Sequence, residues 1–137
     1  MKNSKIALFV VLGIVFWFNA AMIVRFLGDS CLTENNPKLI LMFLLAFPVT
    51  AITFYLTKVI SKLEYSELLR PIVIMTFTAT LCDGIALTWF RQLYSDSFEV
   101  AMHGAGLIFW GAGLGLLFAY ILESKGFKNR RILSQEV

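Results

Sequence analysis

Four stretches of the chain carry almost no polar interruption. They run over residues 6–27, 39–57, 71–90 and 100–122. Arg25 is the only charge in the first and Asp83 the only charge in the third, while the second and fourth have none. Each stretch has close to the ~20 residues that cross a ~30 Å hydrocarbon core as a helix. In lipid a segment of this length must satisfy its own backbone, which makes a helix the expected form. The polar stretches between them are short, covering residues 28–38, 58–70 and 91–99. Short connections favour antiparallel sequential helices, so the pattern predicts an all-α, integral membrane, up-down-up-down four-helix bundle in a single domain, 1–137.

Local signals refine the boundaries. Ser61 and Glu64 have capping-box spacing in the second connection, predicting a short helical or interfacial turn there. Pro71 suits the first turn of the third helix. Pro48 removes a hydrogen bond to the Leu44 carbonyl and predicts a kink in the second. Lys2 and Lys5 precede the first apolar run as they would in a signal peptide. That run continues to Leu27 without a small-x-small cleavage site, so a retained span is expected.

Composition agrees with the pattern: 58% of the 137 residues are hydrophobic and 15% charged, against about half and a quarter in soluble domains. The placement of charge says more than its net value of +3. Lys2, Lys5, Lys58, Lys62, Arg70, Lys125, Lys128, Arg130 and Arg131 fall on one side of the predicted bundle. Arg25, Lys38 and Arg91 fall on the other. By the positive-inside rule both termini are cytoplasmic, as expected for a multi-pass protein of a bacterial cytoplasmic (inner) membrane. Trp89 and Tyr94 then mark the outer interface, and Tyr55, Tyr65 and Tyr120 the inner one. The basic tail "SKGFKNRR" serves as a topology anchor beside anionic headgroups, and no feature points to nucleic acid.

Candidate chemistry is sparse. An ionisable residue inside a span is a functional-site hypothesis with a partner to be named. Asp83, Asn19, Arg25 and His103 come from three helices and all lie in the predicted outer half. Thr76, Thr80 and Asp83, at i, i+4 and i+7, share one face of the third helix. Asp83 either pairs with Arg25 or His103, or is held by Asn19 and a tryptophan N–H, and so fixes helix register; alternatively it carries a proton or binds a cation. Thr50, Thr53 and Thr57 form a second stripe that could meet the first across a contact between helices two and three. Threonine hydroxyls more commonly bond back to their own helix. Trp17 and Trp110, near mid-depth, each need an acceptor for the indole N–H.

In the fourth span Gly111, Gly115 and Ala119 repeat every four residues, the small-xxx-small pattern that lets helices approach closely. Packing within the chain is the simpler use, and a homo-oligomer or a membrane-protein partner through the fourth span the sharper one. Cys31 and Cys82 form no C-x-x-C pair, and with His103 the only histidine no zinc site or other cofactor site can be assembled.

Four-span enzyme and transporter families fit poorly. The C-x-x-C of vitamin K epoxide reductase-like enzymes and the aspartate pair of lipoprotein signal peptidases are both missing. So are the later acids of CDP-alcohol phosphotransferases. Small multidrug-resistance transporters carry their essential acid in the first helix. By contrast, "DGIALTWFRQLY" followed by "WGAGLGLLFAY" resembles a family of small bacterial four-span membrane proteins of unknown function. There an Asp-Gly-x-Ala-Leu-Thr-x-Phe segment, here residues 83–90, ends the third span. Arg91 stands where that family has proline. The resemblance implies the architecture and brings no activity. The expected function is a non-enzymatic accessory or structural membrane protein acting through helix contacts, without a catalytic residue. The alternative is a small proton- or cation-linked transporter or channel using Asp83.

Overall fold

A computed structural model describes residues 3–133, with side chains described for 5–126. Four helices account for nearly all of it: α1 (Asn3–Cys31), α2 (Pro37–Ser61), α3 (Leu69–Trp89) and α4 (Phe98–Leu133). Two 3-10 turns, Tyr65–Glu67 and Arg91–Leu93, lie in the connections. All four helices are long and apolar enough to cross a membrane, over Lys5–Cys31, Pro37–Ser61, Leu69–Trp89 and Phe98–Gly126. The chain is therefore an all-α, multi-pass membrane protein. Lys2, Lys128, Arg130 and Arg131, which contribute to the charge asymmetry, have side chains outside the described residues.

The helix ends follow local chemistry. Asn36 caps α2 by accepting from the Lys38 amide at 3.0 Å, with Pro37 in the first helical position. Lys62, in the left-handed region at φ 54°, ends α2 and donates its amide to the Lys58 carbonyl. α2 is continuous through Pro48. The capping box forms three residues later than the Ser61/Glu64 spacing predicts, between Glu64 and Glu67. α2 runs on to Ser61, whose hydroxyl is spent on the Thr57 carbonyl at 2.6 Å.

Pairing departs from the sequential order that short connections suggest. The main contact is α1 on α3; α4 touches every other helix, and α2 leans on α4 while barely meeting α3. The alternative in which threonine stripes meet between α2 and α3 is therefore not formed. The reason is visible at Gly13. A Cβ there would sit 2.8 Å from the Met75 carbonyl oxygen and 3.0 Å from the Thr78 Cβ, so only glycine permits this α1–α3 approach. Gly104 plays a similar part for α4, where a Cβ would lie 2.5 Å from a Val24 methyl. Gly111 and Gly115 are not such sites: a Cβ would meet nothing within 4 Å at Gly111, and only an Ile72 methyl at 3.9 Å at Gly115. Ala119 alone of that repeat is fully buried.

The interior divides into two packed clusters. Near the end holding the termini, Phe9, Phe54, Leu68, Ile72, Ile74, Met75 and Ala119 come together. At the far end the cluster is Ala21, Val24, Leu32, Ala86, Tyr94, Val100 and Ala101. α1 contributes to both, which integrates the first apolar run into the bundle.

Candidate functional site

Asp83 sits on α3 six residues before its end at Trp89, or ~9 Å along the axis. It is 2% exposed. Its partner is Tyr94, whose hydroxyl donates to Asp83 Oδ1. Trp17 Nε1 on α1 donates in turn to the Tyr94 oxygen at 2.9 Å. The result is a buried chain, indole to phenol to carboxylate, joining α1, the 90–97 connection and α3. Tyr94 is 0% exposed and so does not mark an interface, whereas Trp89 is 69% exposed. The 3-10 turn Arg91–Leu93 folds the connection back so that Tyr94 points into the bundle. Burial, and then the neighbouring Asp83, raise the Tyr94 phenol above its ordinary range, which keeps it a donor.

The expected partners of Asp83 are engaged elsewhere. Asn19 donates to the Val15 carbonyl of its own helix at 2.8 Å. Arg25 donates to the Gln92 carbonyl at 2.9 Å and to Asp96 Oδ2 at 3.2 Å. These bonds set Arg25 level with the α3–α4 connection, because α3 is shorter than α1 by eight residues. His103 donates from Nδ1 to the Leu32 carbonyl at 3.0 Å, closing α4 onto the start of the α1–α2 connection. Thr50, Thr53, Thr57, Thr78 and Thr80 each return their hydroxyl to the carbonyl four residues earlier. Trp110 donates to the Phe43 carbonyl at 3.1 Å, linking α4 to α2.

Between the two apolar clusters lies a cleft of about 450 Å³ lined by all four helices. Thr76, Thr80 and Asp83 occupy its α3 wall, and Gly111 and Gly115 its α4 wall. Asn19 lines it from α1. A second cavity of about 650 Å³ lies where Trp17 meets Cys82, Ile85, Phe90 and Leu93. Both cysteines are free thiols. Among the described residues no group of three metal-ligating side chains comes together.

Asp83 lies on the bundle interior as its sequence position implies, whereas Tyr94, expected at the outer interface, is buried as its partner. The available signal was Leu93–Tyr94, two large side chains with apolar surface in an otherwise polar connection. Such a pair can fold inward when a buried acceptor needs a donor. The chain matches no protein-family model, no curated protein and no solved structure.

Proposed function

We propose that this is a non-enzymatic accessory membrane protein of a bacterial cytoplasmic membrane, with both termini cytoplasmic, acting through helix contacts. The observation that carries this reading is the state of Asp83: nearly sealed from solvent and hydrogen-bonded by Tyr94. A carboxylate held in this way ties three segments together, the role expected of a polar residue that fixes helix register. The orientation draws on the lysine and arginine asymmetry, and the bacterial setting on the resemblance carried by residues 83–90. The Gly111–Gly115–Ala119 face turns into the bundle, so a partner helix would meet other, lipid-facing parts of the fourth span.

The competing reading is proton- or cation-linked transport, and it draws on the place of Asp83 in the cleft wall. A deletion strain complemented with wild type or Asp83→Asn separates the two. Growth is compared across pH, salt and toxic cations. The accessory reading expects Asp83→Asn to match wild type in every condition. A cation- or pH-specific defect that wild type rescues and Asp83→Asn does not would overturn it.

A further inference from the structure

A cleft at membrane depth must hold something, and its polar inventory decides what. Water needs two to four polar partners to settle in a cavity. Here the Thr50, Thr53 and Thr80 hydroxyls are donated to their own helices, the Asn19 amide to Val15, and Asp83 Oδ1 is taken by Tyr94. The Thr76 hydroxyl, Asn19 Oδ1 and Asp83 Oδ2 are the few polar atoms left on the wall, which is otherwise apolar, with alanine and glycine from α1, α2, α3 and α4 keeping it open. Exposed residues border it on two helices, Ile23 and Leu27 on α1 and Leu45 and Val49 on α2. Contact between α1 and α2 is thin, so the cleft communicates with the lipid-facing surface.

The volume selects among apolar occupants. At about 450 Å³ the cleft lies within the ~300–1,000 Å³ range of small-molecule sites. A helix ~10 Å across with a pitch of 5.4 Å fills that volume in roughly one turn, so no spanning helix of a partner or second copy fits. We propose that the cleft is a binding site for a single acyl chain of a membrane lipid, entering between α1 and α2. The tail packs against Gly111 and Gly115 below the Trp17–Tyr94–Asp83 chain, and it completes the middle of the bundle that the two apolar clusters leave unfilled.

The site can be tested with a mid-chain-brominated phospholipid, whose bromine quenches tryptophan only at close range. The full chain carries Trp89→Phe and Trp110→Phe, leaving Trp17, which borders both cavities. It is reconstituted in bilayers of that lipid. Gly111→Leu fills the cleft at a position where a Cβ meets nothing within 4 Å, and Gly84→Leu is the control at an equally open position outside both cavities. The brominated lipid is expected to quench Trp17. Gly111→Leu should reduce that quenching about twofold, with Gly84→Leu unchanged. If Gly111→Leu does not fold, Ala46→Leu fills the same cleft from α2. Equal quenching in the filled and control variants overturns the proposal. So does stronger quenching by a water-borne quencher than by the lipid, which would mean a wet cleft. Oxidative cross-linking of two copies through Gly111→Cys, in a background lacking Cys31 and Cys82, overturns it in favour of a second chain.

Discussion

The two ends of the bundle are held by different means. Near the termini Phe9, Phe54, Leu68, Ile72 and Met75 interlock, with Gly13 letting α1 close on the α3 backbone. At the far end smaller residues, Ala21, Ala86 and Ala101, surround a buried hydrogen-bonded chain, and Arg25 and His103 fasten the connections. In lipid the hydrophobic effect gives helices no reason to prefer each other over acyl chains. Shape and hydrogen bonds therefore carry association. One end uses mainly the first and the other mainly the second. A single substitution should accordingly expose which term each end relies on.

The largest effect is expected at the polar end. Tyr94→Phe removes the donor to Asp83 and the acceptor of Trp17 while keeping the ring, leaving a buried acid without its partner. The cost should be about 3 kcal/mol, read as a lowered unfolding midpoint in mild detergent. Adding Asp83→Leu should recover part of that loss, because removing both partners is cheaper than removing one. A double variant at least as unstable as the sum of the singles would break the claimed coupling. Next comes the shape-held end. Gly13→Ala forces a methyl against the Met75 carbonyl and should cost about 2 kcal/mol, within the range for overpacking. Gly111→Ala, with open space around it, should change stability by less than ~0.5 kcal/mol in the same assay.

Asp83→Asn keeps an acceptor for Tyr94 and should cost only about 1 kcal/mol, with helix content by circular dichroism unchanged. A similarly small effect is expected at the rim. Asp96→Ala removes an exposed partner of Arg25 and should fall within ~0–1 kcal/mol, shrinking further with added salt.

The two ends also differ in pH response. Tyr94's phenol is raised in the folded chain, so its contribution is whole below the ordinary tyrosine value of ~10 and is lost as pH climbs beyond it. Alkaline titration should show no difference in phenolate absorbance between wild type and Tyr94→Phe until the protein unfolds. A Tyr94 signal appearing while the chain is still folded would show that the phenol is not held by Asp83.

The four spans were legible within a few residues because length and hydropathy alone define them. Asp83 was legible as an interior residue because its cost in lipid leaves it few other places. What could not be read was rotation. The spans are apolar on nearly every face, so the pattern does not say which side of α1 meets α3. Thus Gly111 and Gly115, with their regular repeat, drew attention, while the isolated Gly13 makes the close approach. Tyr94 was missed for a related reason. Its burial depends on a connection folding back eleven positions from Asp83, and no period in the sequence encodes that.

The α1–α3 pairing also bears on how the protein is made. α1 and α2 leave the ribosome first, yet they share little surface. The helix that α1 embraces arrives only after α2 and its connection have been synthesised, seconds later at ~5–20 residues per second. The first hairpin must therefore wait in the bilayer, with the face of α1 around Gly13 not yet covered by α3. Translation of the 90–97 connection then delivers Tyr94 as a latch, and α4, which touches every other helix, arrives last.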